Sequence, residues 1–118
     1  MKNNWLMNDV LFLFVLDTLA AITKIPQNVI VMKDENATLQ CSSSYNDRIT
    51  WKYDYDIISY VPCTTQSPGF IAQSPRAADC NIVALPGAPG GISGPYMCDD
   101  GSYPRAVAMV IVLSKSLR

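Results

Sequence analysis

The chain has 118 residues, room for a single domain, with nine basic against ten acidic side chains and no histidine. A balance this close to neutral offers nothing to a phosphate backbone, which argues against nucleic-acid binding. Without histidine the commonest general base and metal ligand are gone, and with them the ordinary Ser-His-Asp and Cys-His catalytic constellations.

Residues 1–21 read as a secretory signal. Lys2 gives a positive start, residues 10–16 are an unbroken apolar run, and Thr18, Ala20 and Ala21 supply small residues for cleavage. The run is shorter than the about 20 apolar residues that a helical membrane span requires. Asp9 and Asp17 flank it, and an uncleaved anchor or a misassigned start are the other readings. Residues 22–118 then make the domain; nine basic groups less Lys2, and ten acidic groups less Asp9 and Asp17, leave eight of each.

Residues 28–32 are a short apolar run after Pro26, which suits an edge strand opening the domain. Residues 33–36 are polar and read as a turn. Residues 37–41 alternate, with Ala37, Leu39 and Cys41 on one face and Thr38 and Gln40 on the other. Residues 42–47 read as a polar, solvated loop whose serines lack any base to activate them. Alternation returns in residues 48–53, with Ile49, Trp51 and Tyr53 inward, and residues 57–61 make another strand. Residues 62–79 are rich in Ser, Thr, Pro and Ala, with Phe70 and Ile71 as the apolar anchor. Residues 81–85 regain strand character, and the prolines and glycines of residues 86–94 mark a tight corner. After Tyr96, Met97 and Cys98 comes the polar turn of residues 99–102, then the apolar run Ala106–Leu113. Roughly seven to nine short strands with turn signals between them, and no helical period, give an all-β sandwich.

Four cysteines without a Cys-x-x-Cys pair, in a chain without histidine, point to disulfides in an oxidising compartment rather than to a zinc site. Four cysteines allow three connectivities. Metal and cofactor sites are expected to be absent. Asp54, Asp56, Asp99 and Asp100 follow no calcium-loop motif and read as turn formers and solubilising groups.

Leu39-x-Cys41, Trp51, Val83-x-Leu85 and Ser93-Gly94-x-Tyr96-x-Cys98 together resemble the immunoglobulin superfamily over about residues 26–114. The resemblance implies a two-sheet antiparallel Greek-key sandwich of variable-like or intermediate type. Its buried pin would be a Cys41–Cys98 bridge, the core residues Trp51, Leu39 and Leu85, and Tyr96 fixing a corner. Where family members usually place an aspartate paired with an arginine, this chain has Ile92, so that ion pair is expected to be missing and Arg76 has no such partner. The same resemblance leaves Cys63 to pair with Cys80. In the loop-closure model the long bridge removes about 4 kcal/mol of unfolded-chain entropy and the short one about 3 kcal/mol. The short bridge has a local reason: the polar stretch around it cannot bury itself, so a covalent tie replaces missing core.

Asn36-Ala37-Thr38 is the chain's one Asn-x-Ser/Thr sequon and marks Asn36 for an N-linked glycan. Partner binding is expected in two places. The last strand is apolar on both faces; if Val107, Met109, Ile111 and Leu113 fill the core, Ala108 and Val110 lie outward beside Met97 as an apolar patch for homodimerisation or docking. The loop tips carry the other candidates, Tyr45, Asn46 and Asp47 before Trp51, and Asp99, Asp100, Ser102 and Tyr103 after Cys98. The expected function is that of a secreted, non-catalytic binding module for an extracellular protein or glycan, in recognition, adhesion or defence. The alternatives are one domain of a larger cell-surface receptor, or a small secreted effector or toxin on a β scaffold.

Overall fold

The computed structural model describes residues 22–44, 48–102 and 104–114. The expected signal segment, residues 1–21, and the loop candidates Tyr45, Asn46, Asp47 and Tyr103 lie outside the described residues. Twelve strand segments are present: β1 Ile22–Lys24, β2 Val29–Met32, β3 Ala37–Leu39, β4 Ser42–Ser43, β5 Thr50–Tyr53, β6 Asp56–Ile57, β7 Ser59–Tyr60, β8 Thr64–Thr65, β9 Phe70–Gln73, β10 Asn81–Ala84, β11 Gly94–Asp99 and β12 Ala106–Leu113.

Two layers face each other. One is the five-stranded sheet β2-β12-β11-β5-β6, and the other is the three-stranded sheet β3-β10-β9. The β1-β4 pair prolongs the second layer, because β4 continues the line of β3 beside the chain entering β10. The amide of Cys80 donates to the Cys41 carbonyl (2.8 Å) and that of Ser43 to the Ala78 carbonyl (2.9 Å). The N-terminal chain thus serves both layers, with β1 antiparallel to β4 and β2 parallel to β12. Buried Pro26 sits at the switch, where a residue without an N–H breaks the ladder at least cost. β7 and β8 form a separate hairpin.

Leu85 apart, the pin is assembled as the resemblance implied. Cys41 bridges to Cys98 across the layers and Cys63 bridges to Cys80. Trp51 stands opposite Cys98 in register, is fully buried, and donates its indole N–H to the Cys80 carbonyl at 2.9 Å. That acceptor spares the buried ring the cost of an unsatisfied N–H. The Tyr96 hydroxyl donates to the Ile92 carbonyl at 2.7 Å, which fixes the corner ahead of β11. Burial pushes the Tyr96 phenol well above its ordinary range, with the nearby Tyr53 adding to it, so this donor keeps its proton. Tyr53 and Phe70 complete an aromatic cluster, their ring centroids 4.6 Å and 6.2 Å from that of Tyr96. Gly94, at φ +136°, lets the chain enter β11 against the Tyr53 ring; a Cβ there would lie 3.3 Å from Tyr53 Cε1.

Several expectations are corrected. Residues 42–43 are not a solvated loop but β4, with both serines buried: the Ser42 hydroxyl donates to Asp79 and that of Ser43 to Asp100. Leu85 is only half-buried, whereas Ile82 and Ala84 point inward, because β10 pairs Ile82 with Leu39 and Ala84 with Ala37. Leu85 lies one residue past the strand, at the corner. The reading of Ile92 needs no correction: it is buried, and Arg76 pairs elsewhere, with Asp79 at 3.2 Å.

Candidate functional site

The parity of β12 decides which surface the protein offers. β11 alternates with Tyr96 and Cys98 inward, and the register sets Ala108 opposite Tyr96 and Ala106 opposite Cys98. Directly opposed residues in a ladder share a face, so Ala106, Ala108 and Val110 must point inward as well. Ala108 and Val110, expected outward, are each only 1% exposed. The reason is volume: the Tyr96 ring and the disulfide already occupy the space between layers, and small side chains are what still fits opposite them. The bulkier set is displaced to the surface, with Val107 at 56%, Met109 at 41% and Ile111 at 43% exposure.

Neighbouring strands extend these three into a continuous apolar face on the outer side of the five-stranded sheet. Ile111 is paired in register with Ile30, which is 64% exposed, and Met32 follows two residues along β2. Met109 is opposite Pro95. A third row runs Val107, Met97, Lys52, Ile57 across four strands. Met97, expected outward, is outward and half-buried among these neighbours. A groove of about 90 Å³ lined by Lys52, Tyr55, Pro95, Met97 and Val107 opens on this face, the size of a seat for one side chain. Lys52 is its one charged member, and a lysine's long aliphatic stem is compatible with an apolar row.

The loop end of the sandwich differs from the expectation. Asp100 is not at an exposed tip: it is 1% exposed and fully bonded, accepting from the hydroxyls of Ser43 and Ser102 and from the Ser102 amide at 2.8 Å. Burial by itself raises its carboxyl, but the Ser102 and Ser43 hydroxyls and the amides of Ser102 and Asp100 outweigh that and leave it below the ordinary range. It ties the turn after β11 to β4. Asp99 is half-buried, accepts from the Gly101 amide at 2.8 Å, and pairs with Arg105 at 3.2 Å. Ser102 is half-buried and committed to Asp100. These residues shape the turn rather than present free groups.

A cleft of about 340 Å³ beside that turn is lined by Ile22, Ile25, Ser102, Pro104, Arg105, Ala106 and Val107. Arg105 and Ser102 are its polar groups, and both already have partners within the protein. Among the described residues no three Cys, Asp or Glu side chains come together to hold a metal ion. Among them, too, no helix is long and apolar enough to cross a membrane. Asn36 and Thr38 are both exposed.

The sequence could have revealed the outer face, since residues 106–113 are apolar at every position. What it lacked was a phase, and that comes from the register with β11.

No protein-family model matches the chain, and no curated protein sequence matches it. Solved structures do. The chain is similar to the I9–I11 tandem of titin (18% identity, TM-score 0.62, covering 79% of this chain and 32% of that one). It is likewise similar to the N-terminal Ig1-2 module of the Drosophila receptor protein tyrosine phosphatase DLAR (18% identity, TM-score 0.66, 81% and 50% coverage). A third likeness is to a chain of the complex between titin M10 and obscurin-like 1 Ig (18% identity, TM-score 0.60, 79% and 92% coverage). The chain therefore spans about a third and a half of the first two. With its two layers, buried Cys41–Trp51–Cys98 pin and Tyr96 corner, it is a disulfide-bonded sandwich with the immunoglobulin fold.

Proposed function

We propose that this chain is an extracellular binding module that acts by recognising a protein rather than by catalysis, and that it docks a second copy of itself through the outer face of the five-stranded sheet. The observation that carries the reading is the apolar set of exposed Ile30, Met32, Val107, Met109 and Ile111, with half-buried Met97 among them, on one sheet face. Two disulfides support the extracellular part, because such bonds persist in oxidising compartments.

The choice of a second copy rests on composition and size. Interfaces between unlike partners that also exist apart are no more apolar than ordinary protein surface, whereas homodimer interfaces are enriched in apolar area. This face has Lys52 as its one unpaired charge among the described residues. The five strands, of four, eight, six, four and two residues, lie about 4.8 Å apart and rise about 3.3 Å per residue, which gives a footprint on the order of 400 Å². Side-chain relief adds to that, which places the face at the low end of specific interfaces, about 600 Å² per partner or less, where association is weak and reversible. A two-fold axis through the face would set each apolar row against its own copy. The titin M10 and obscurin-like 1 Ig complex is a case of immunoglobulin domains in complex.

Light scattering across a concentration series tests this. The wild-type protein is expected to reach twice the monomer mass, and Met109→Glu to remain at monomer mass with an unchanged melting temperature. A wild-type monomer at every concentration up to hundreds of micromolar contradicts the second-copy reading.

A further inference from the structure

We infer that Asn36 is an N-glycosylation site and that its glycan guards the outer side of the three-stranded sheet, opposite the proposed docking face. The inference rests on the extracellular reading. β3 points Ala37 and Leu39 inward, so Thr38 points outward, and by the same period of two Asn36 lies on that side as well. Both are exposed, and among the described residues nothing hydrogen-bonds either side chain. Asn36 therefore stands free at the point where the turn enters the strand, with its Thr two residues on.

Beside the sequon runs an apolar row. Val83 is paired with Thr38 on one side and with Ile71 on the other, so all three share the outer face of this sheet. Val83 is itself buried at the middle of the row, 9% exposed, while Ile71 at its far end is exposed. A sugar stem on Asn36 would cover this end of the row and keep it from pairing with another chain. The two sheets thereby acquire different outer faces, one glycosylated and one bare and apolar.

The step is a glycosyl transfer from an oligosaccharide carried on a lipid diphosphate. Asn36 Nδ2 forms a bond to the anomeric carbon and loses one proton. The sugar's C–O bond to the diphosphate breaks, and the lipid diphosphate leaves with the electron pair; nothing is oxidised or reduced.

The test is expression of the full chain in a secretory eukaryotic cell. Wild-type protein in the medium is expected to carry one glycan, and release by a peptide N-glycosidase to leave aspartate at position 36. Asn36→Gln and Thr38→Ala should lose it, while Thr38→Ser should retain it. The enzymatically deglycosylated protein should associate as the glycosylated one does, because the docking face is on the other sheet. Secreted, disulfide-bonded wild-type protein without a glycan overturns the site alone and leaves the extracellular reading standing. A chain kept in the cytosol with reduced cysteines overturns both. Association that appears only after deglycosylation overturns the assignment of faces.

Discussion

Two buried carboxylates tie β4 to its neighbours, and each depends on serine. At Asp79 the Ser42 hydroxyl lowers the carboxyl most, burial opposes it, and Arg76 adds to the lowering. At Asp100 burial is the largest influence and is overcome by Ser102 and Ser43. Both groups are thus more acidic in the fold than the about 3.9 of an unfolded aspartate. The folded state then binds fewer protons, so their contribution is complete above pH 4. It declines as pH drops below about 4 and through the depressed folded values. Asp100→Asn is expected to lower stability by about 1.5–3 kcal/mol at pH 7, the range for hydrogen bonds to a charged group. Urea midpoints at pH 7 and pH 3 check the sign, since the gap to wild type should narrow at pH 3. Tyr96→Phe removes one donor and strands the Ile92 carbonyl, at an expected cost of about 1–3 kcal/mol. Gly69, at φ +88°, has no room for a Cβ, which would sit 2.3 Å from that of Ala88. Gly69→Ala should therefore cost more than the about 1–2 kcal/mol of a left-handed alanine alone.

At the scale of single strands, alternation identified β3 and β5, because each carries polar residues on one face and so announces its own parity. β12 does not, being apolar throughout, and its orientation follows only from its register with β11. Leu85 misled for a related reason: residues 81–85 offer two apolar phases, and the pairing of Ile82 with Leu39 selects the other one. β4 was illegible because serines in sequence look solvated, and what buries them is Asp79 and Asp100, distant in the chain. The Cys, Trp and Tyr positions were readable because their chemistry demands one arrangement. The docking face was readable as a surplus of apolar residues on the last strand, but not as particular side chains. The parity of β12 has a direct consequence. Ala108→Leu forces volume against Tyr96 and should cost about 1–3 kcal/mol. Val107→Glu, on the outer side of the same strand, should change stability by no more than about 0.5 kcal/mol. Thermal or urea unfolding of the two variants separates them, and equal costs would contradict the assigned face.

For the molecule as a whole, the two bridges divide the labour. Cys41 and Cys98 are wholly buried at the centre, whereas Cys63 is half-exposed beside the polar middle segment. Access governs thiol exchange, so a mild reductant should open Cys63–Cys80 first, and alkylation with peptide mapping should find those two cysteines labelled while the domain is still folded. Around this pin, one sheet turns a mixed face outward, the one on which Asn36 is proposed to carry a glycan, and the other an apolar one. On the proposed reading a second copy docks on the apolar face, through Val107, Met109 and Ile111. Intermolecular NOEs in a sample mixed from methyl-labelled and unlabelled protein test the docking itself. NOEs are expected from the methyls of Val107, Met109, Ile111 and Ile30 to the same sheet of the other copy. A dimer whose intermolecular NOEs come instead from Ile71 and Val83 on the opposite sheet, or the absence of any, would contradict it.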